Sequence, residues 1–448
     1  KCYKDEYFEE EKFYPEEERN SYHSLIENTA KYPQNRTDKK LILKKLMKDI
    51  DTCITFTRLL MNERAIISYR DIERTMIIYN ELFIYFNSSK KNEINSSDIP
   101  MITIIVSFVL RLPDQQEFYE KDLDIGDQKC SEIFRSVFRR YFGNDSKFGE
   151  YRNKKYKINS RYKLLSLLGN VDEIKTIFMT FVYQYTFEFL KKEMVWKFQS
   201  TFIHLFIMDL CIRCDIPCFI IGMPGTSKTY AIELLKKNYG QKLFLSTYMS
   251  SRTSTPNGIK SQYYDLLFKK IIDKINKRND NFCALFIDEM GNANINPSRP
   301  LKFLHSILDG TIDDTSCKDK VATIGVSNYT MDFANINRGI LICTNLPTLD
   351  EILTVFSIDK DKRSLSKITS AKNFIEYKGN IEKNMTNVFK NLWPKKMPAT
   401  LNLRSIYSIK YLIDRPSFDV NIVCRILREL INSKRLFDSG NYKDLLSE

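Results

Sequence analysis

The segment Cys218-Phe-Ile-Ile-Gly-Met-Pro-Gly-Thr-Ser-Lys-Thr229 constrains the fold of this chain more than any other. An apolar run meets a glycine-containing turn, then a lysine and a threonine, then residues that suit a helix through Asn238. Backbone N–H groups from Met223 to Lys228 and the positive end of the following helix can together cradle phosphate. Gly222, Pro224, Gly225, Thr226, Ser227, Lys228 and Thr229 are the candidate nucleotide-binding residues. Lys228 is placed to counter the β- and γ-phosphates, and Thr229 to hold Mg²⁺. One position departs from the usual G-x-x-x-x-G-K-[ST] pattern: Ser227 stands where a glycine gives backbone freedom.

Ala284-Leu-Phe-Ile-Asp288-Glu289 is an apolar run ending in two carboxylates, the first of them 60 residues after Lys228. A buried parallel strand reads as a continuous apolar run, and its C-terminal end faces the ligand crevice of an α/β sheet. Asp288 there can complete a Mg²⁺ site with Thr229, and Glu289 can orient or deprotonate water. The plainer alternative is a strand ending in a surface acidic pair. Val321-Ala-Thr-Ile-Gly-Val-Ser327 ends at Asn328, whose amide can contact a γ-phosphate and the attacking water. Arg338, in Asn337-Arg-Gly339, is the candidate arginine for transition-state charge. Phosphate loop, acidic strand end and polar strand tip, in this order, describe a nucleotide hydrolase.

Apolar segments at 218–221, 243–247, 284–288, 321–327 and 340–344 alternate with helical ones, which predicts a parallel five-stranded sheet with right-handed crossovers. The stretch 248–260 reads as a polar, turn-rich segment, and 300–308 as a helix that opens on a proline. Residues 347–448 show amphipathic helical spacing, notably over 403–413 and 419–437, and read as a helical lid. Arg404 opens one of those helices, where it can reach nucleotide phosphates; a solvated arginine at a helix start fits the spacing as well. Ser68-Tyr-Arg-Asp-Ile-Glu-Arg-Thr-Met-Ile-Ile-Tyr79 echoes this pattern, so residues 1–90 read as the helical lid of a preceding unit. Two unrelated helices that begin near an arginine are the alternative. The expected organisation is therefore 1–90 lid, 91–200 mostly helical connection, 201–346 α/β core and 347–448 lid.

The 448 residues open on Lys1, which suggests an excerpt of a longer protein. No apolar stretch approaches the roughly 20 residues of a transmembrane helix. Ten cysteines, several inside predicted strands, suit a reduced cytoplasmic setting. Cys211-Ile-Arg-Cys214 has zinc-site spacing, but only three histidines exist and no second pair accompanies it, so no zinc is expected in this fragment. The net charge of +13 is spread among acidic residues without a finger or helix-turn-helix pattern, which argues against a nucleic-acid binder.

Gly222-Met-Pro-Gly-Thr-Ser-Lys-Thr229 resembles the phosphate loop of the mysterin family, giant AAA+ RING-type E3 ubiquitin ligases whose active units also carry serine before the lysine. Ser254-Thr-Pro-Asn-Gly-Ile259, Asp288-Glu-Met-Gly291, Pro300-Leu-Lys-Phe-Leu-His305 and Ile324-Gly-Val-Ser-Asn328 through Asn337-Arg-Gly-Ile340 are similar to that family's second active AAA unit. Leu403-Arg404 with Tyr407-Ser408 resembles its lid motif, and Tyr69-Arg-Asp-Ile-Glu-Arg74 the lid of the unit before it. The chain departs from the family at Asn292-Ala-Asn294, where a Leu-Ala-Glu-like continuation is expected. The resemblance implies an AAA+ P-loop ATPase fold (α/β, with an all-α lid and a preceding all-α segment) that uses ATP and Mg²⁺. It further implies neighbouring AAA+ units in the same chain, a dynein-like tandem core, and ubiquitin-pathway partners. Glu289, Asn328, Arg338 and Arg404 then become the catalytic set, with Arg338 acting on the preceding unit. A unit that only holds nucleotide, and a dynein- or midasin-like remodelling ATPase without ligase activity, are the competing readings.

Overall fold

The computed structural model describes residues 14–30, 36–61, 67–88, 95–113, 116–119, 155–190, 199–276, 281–294, 299–309, 320–328, 333–345 and Glu376. The chain divides into two compact units. The first takes in Lys1–Phe189, Phe202–Gly222 and Lys228–Asn345. The second gathers Leu190–Thr201, Met223–Ser227 and Leu346–Glu448. Of the second, only Leu190, the first turn of one helix, the Met223–Ser227 loop and Glu376 are described. The predicted 347–448 lid and Arg404 otherwise lie outside the described residues.

The first unit opens with helices α1 (Glu16–Thr29), α2 (Arg36–Met61) and α3 (Tyr69–Ser88), of which α1 packs on both others. Apolar residues at helical spacing, such as Leu46, Ile50, Cys53 and Ile54 on α2, supply the buried face. Burial of each large aliphatic side chain contributes about 1.5–3 kcal/mol. Arg58 of α2 grips Glu18 of α1 at 2.6 Å and the Ile67 carbonyl at 2.8 Å, which fixes the approach to α3. Helix α4 (Ile99–Ile104) runs into a π turn over Ile105–Val109, almost wholly buried. The 91–200 stretch differs from its mostly helical expectation at β1 (Gln116–Tyr119) and β2 (Lys155–Ile158), which pair antiparallel. Lys-Tyr-Lys-Ile alternates polar and apolar at period two, a strand signal in too short a run to stand out. Helices α5 (Ser160–Leu168), α6 (Val171–Leu190) and α7 (Gln199–Arg213) then lead to the sheet.

The sheet has five parallel strands: β3 (Cys218–Gly222), β4 (Leu243–Met249), β5 (Phe282–Asp288), β6 (Ala322–Ser327) and β7 (Ile340–Thr344). Their spatial order is β4-β5-β6-β3-β7, so the strand entering the glycine loop lies inside the sheet between β6 and β7. The predicted α/β class with a parallel five-stranded sheet holds, but the segment before the sheet, expected to be all-α, is mostly helical and carries the β1–β2 pair. Strand residues from Cys283 to Asp288 and from Ala322 to Ser327 are all buried, as two covered faces require. One core cluster joins Phe219, Leu285 and Ile287 of the sheet to Tyr263, Leu266 and Leu267 of α9 (Pro256–Ile275), Met290 of α10 (Met290–Asn294) and Leu304 of α11 (Lys302–Asp309).

Helix α9 corrects part of the reading of 248–260 as a polar, turn-rich segment: residues 250–255 are irregular or turn, but a helix begins at Pro256. Pro256 is its first residue, and the Thr255 hydroxyl caps it by accepting from the Gly258 N–H at 3.3 Å. Proline and glycine mark turns locally, yet proline is also favoured in a first helical turn, and the buried Ile259 and Tyr263 decide for the helix.

Two features brace the sheet from the helical side. The outer edge of β7 is not left open: the Cys343 N–H donates to the Leu110 carbonyl at 2.8 Å, just past the π turn. Arg161 of α5 donates to that same Leu110 carbonyl at 3.0 Å and also to the Cys343 carbonyl. On the other side, Asp209 of α7 is fully buried and accepts from Arg213 at 2.8 Å and from the hydroxyls of Tyr185 and Tyr239. Tyr239 ends α8 (Lys228–Tyr239), so this carboxylate ties the helix after the loop to α6 and α7. Burial beside the Asp209 charge pushes the Tyr185 phenol well above its ordinary pKa, which keeps it a hydrogen-bond donor.

Candidate functional site

The loop Met223–Ser227 leaves the end of β3 and enters α8 at Lys228. Its backbone turns twice through the left-handed region, at Gly225 (φ 86°) and Ser227 (φ 64°). Ser227 therefore occupies the backbone geometry that glycine tolerates best, which is the physical content of the motif's usual glycine. Thr226 is fully buried and donates from its hydroxyl to the Met223 carbonyl at 2.9 Å, closing the loop on itself. Gly222 is required for packing: a Cβ there would stand 2.6 Å from Thr344 Cβ on the neighbouring strand.

Lys228 begins α8 and is nearly buried. Its ammonium lies 2.7 Å from the Gly222 carbonyl and 3.0 Å from Asn328 Oδ1. Thr229 is exposed, and its hydroxyl donates to Asp288 Oδ2 at 3.2 Å. The other Asp288 oxygen accepts the Glu289 N–H at 2.8 Å. Glu289 itself adopts φ 53°, turning sharply off the end of β5. Its two carboxylate oxygens accept from Asn328 Nδ2 at 3.0 and 3.1 Å. A single amide thus joins the lysine to the glutamate: Asn328 accepts from Lys228 and donates to Glu289.

Topology explains the convergence. Strands β3, β5 and β6 run parallel, so their C-terminal ends share one edge of the sheet, where the chain order reverses. Residues 60 and 100 positions from Lys228, at Asp288 and Asn328, meet there because each directly ends or follows a strand. The sheet brings Lys228, Thr229, Asp288, Glu289 and Asn328 together.

It does not bring Arg338 to them. Arg338 lies in the turn between α12 (Phe333–Ile336) and β7, partly exposed, with its guanidinium donating to the Ala334 carbonyl. His305, from Pro-Leu-Lys-Phe-Leu-His, sits 2.6 Å from Asn335 Oδ1 and so links α11 to that short helix.

Cys211 and Cys218 are buried and Cys214 is partly exposed. Among the described residues no three His, Cys, Asp or Glu side chains cluster in a way that would hold a metal. None of the described helices is long and apolar enough to cross a membrane.

Sequence reading missed the support behind the loop. His204 Nε2 lies 2.7 Å from the Thr344 hydroxyl, and Thr344 is the residue that forbids a side chain at Gly222. Nothing in the spacing of residues 204, 222 and 344 signals this contact. The glycine inside Ile-Gly-Val did carry a signal, because a Cβ at Gly325 would meet Met290 Sδ at 2.5 Å and Phe219 at 2.8 Å.

Residues 199–351 match the family described as the RNF213 AAA domain. The E3 ubiquitin-protein ligase RNF213 of Mus musculus is 34% identical over 167 residues, and that of Homo sapiens 32% identical over 165. Each alignment covers 34% of this chain but 3% of the relative, so the chain matches only a small part of those proteins. A solved structure of a candidate ATPase from Cytophaga hutchinsonii ATCC 33406 aligns at 16% identity over 56% of this chain and 72% of that one, with a TM-score of 0.25, too low to carry an argument. Motif resemblance and family match converge on one segment: residues 199–351 of this chain are similar to the RNF213 AAA domain.

Proposed function

We propose that this chain contains an ATP-binding, ATP-hydrolysing AAA+ unit of a large multi-unit E3 ubiquitin-protein ligase, in which ATP drives or gates conformational change. The observation that carries the reading is the continuous chain Lys228–Asn328–Glu289 at the sheet edge. A phosphate-binding lysine and a candidate general base are joined by the amide suited to sense a terminal phosphate.

ATP phosphates sit on the loop from Gly222 through Pro224, Gly225, Thr226 and Ser227 to Thr229, with Lys228 countering their charge. The Thr229 hydroxyl and Asp288 carboxylate already stand within hydrogen-bond distance, and both are the hard oxygen donors Mg²⁺ takes. Mg²⁺ bound there supplies charge neutralisation at the β- and γ-phosphates. Glu289 acts as general base toward water. Lys228 and Asn328 engage each other in this structure, so a γ-phosphate competes with Asn328 for the lysine. Rotation of the amide toward that phosphate loosens its hold on Glu289. Nucleotide arrival and release of the base are thereby coupled through one side chain. Arg404, from the 347–448 lid, closes on the nucleotide. Arg338, set apart from this cluster, serves the preceding unit, whose lid is residues 1–90. Neighbouring AAA+ units and ubiquitin-pathway proteins are the partners, in the cytoplasm.

One observation favours a second reading, in which the unit holds ATP as a structural element: both oxygens of Glu289 are engaged by Asn328. ATP turnover and bound-nucleotide content of the full-length protein, compared with its Glu289→Gln form, separate the two. Turnover that falls while ATP accumulates supports hydrolysis. Unchanged turnover with ATP retained in both forms supports the holding role.

A further inference from the structure

A second set of buried charges lies away from the Lys228 cluster. Asp71, in the first turn of α3, is 5% exposed, and its Oδ1 pairs with Arg74 at 3.5 Å and Arg111 at 3.4 Å. Its Oδ2 accepts from the N–H and hydroxyl of Ser68 at 2.9 and 3.0 Å, which fixes the carboxylate at the helix start. The two arginines, 7% and 6% exposed, then reach one residue far along the chain. Arg74 donates to the Asn337 carbonyl at 3.1 Å, and Arg111 to Asn337 Oδ1 at 2.9 Å. Asn337 is the neighbour of Arg338.

The turn is held from its other sides too. A Cβ on Gly339 would stand 2.7 Å from Phe219 and 2.8 Å from the Pro217 carbonyl, so the backbone lies flat against β3. The Ile340 N–H donates to that carbonyl at 2.8 Å. The Arg338 N–H donates to the Asn335 carbonyl at 3.3 Å, and Asn335 is held by His305.

Burying three charges is a poor way to gain adhesion alone, because desolvation offsets most of the attraction and an apolar seam of equal volume holds as well. A guanidinium fork does what an apolar contact does not: it fixes the direction and distance of the group it binds. Here two forks, both anchored on one carboxylate, read the backbone and the side chain of a single turn residue.

We propose that Asp71, Arg74 and Arg111 are a positioning cluster for Arg338. They fasten the Asn337–Gly339 turn to the helical segment before the sheet, so that the arginine moves with that segment as one piece. The proposal rests on the reading above that Arg338 serves a neighbouring site. Misplacing a catalytic group by about 1 Å can cost roughly 100-fold, so loosening this turn lowers turnover without touching the nucleotide.

The test is steady-state ATP turnover of the full-length protein carrying Arg338→Ala, Arg111→Met, Asn337→Ala, and Arg111→Met combined with Arg338→Ala. Arg111→Met leaves Asp71 paired with Arg74, and Asn337→Ala approaches the same contact from the opposite side without removing a buried charge. The expected result is that Arg111→Met and Asn337→Ala each lower kcat roughly 10- to 100-fold with KM for ATP unchanged. The double variant is then no slower than Arg338→Ala alone, since a positioning residue has nothing to position once the arginine is gone. Single variants at wild-type kcat, or losses that multiply in the double variant, overturn the cluster's role while leaving the reading of Arg338 standing. Wild-type turnover for Arg338→Ala overturns that reading and the cluster's role with it.

Discussion

The C-terminal edge of the sheet and the seam between α3 and the Asn337–Gly339 turn hold their polar groups in different ways. At the sheet edge, the side chains come from residues that end strands or start a helix, and the backbone carries the strain: φ is positive at Gly225, Ser227 and Glu289. Partners there are neutral amides, hydroxyls and carbonyls that a phosphate or a cation can replace. At the seam, no positive φ occurs, and two arginines and an aspartate are satisfied by one another and by Asn337. One region is built to exchange partners and the other to keep them. Strain and replaceable contacts mark the place where a ligand is expected, while saturated buried charge marks the place where geometry must not change.

The comparison breaks most visibly at Glu289. Glu289→Gln keeps the shape and the contact with Asn328 but removes the base, so ATP turnover falls roughly 10²- to 10⁴-fold with little change in melting temperature. A drop in stability comparable to the seam variants would place this carboxylate among the structural charges instead. At the seam the balance reverses. Asp71→Leu strands two buried guanidinium groups, with an expected loss of about 3–5 kcal/mol, read by denaturant unfolding of the full-length protein or by faster amide exchange over residues 68–80 and 335–343. A loss below 1 kcal/mol would show that the arginines find other partners and that the seam is not saturated.

Asp209 offers an intermediate case, being a buried carboxylate that anchors α8 behind the loop. Tyr239→Phe removes one hydrogen bond to a charged group, an expected cost of about 1.5–3 kcal/mol. Nucleotide affinity is expected to stay within a few-fold, because Arg213 and Tyr185 still hold the carboxylate. The smallest effect belongs to the loop. Ser227→Gly relieves a left-handed serine but adds unfolded-state freedom, for a net gain of about 0.5 kcal/mol. A loss of nucleotide affinity in that variant would assign the hydroxyl a direct role.

Much of the site was legible because its chemistry sits where secondary structure changes. Lys228 and Thr229 follow a glycine turn, Asp288 and Glu289 end an apolar run, and Asn328 follows another. Parallel strands with these endings can only deliver those side chains to one edge. The start of α9 was misread because proline and glycine carry the same local signal in a turn and in a helix's first turn; only the burial of Ile259 and Tyr263 against the sheet separates the two. The β1–β2 pair was missed because four-residue strands carry almost no periodicity.

The sequence alone determined the alternation of strands and helices, and with it the α/β class, because apolar runs of that length have to be covered on both faces. It also determined the identity of the groups at the sheet edge. Tertiary structure alone decided what those groups touch: that Asn328 bridges Lys228 and Glu289, that Thr344 explains Gly222, and that Arg338 stands apart with its turn gripped by Arg74 and Arg111. Contacts spanning 226 and 263 positions depend on how helices pack against a sheet edge, and packing is set by the summed burial of many side chains rather than by any local run of residues.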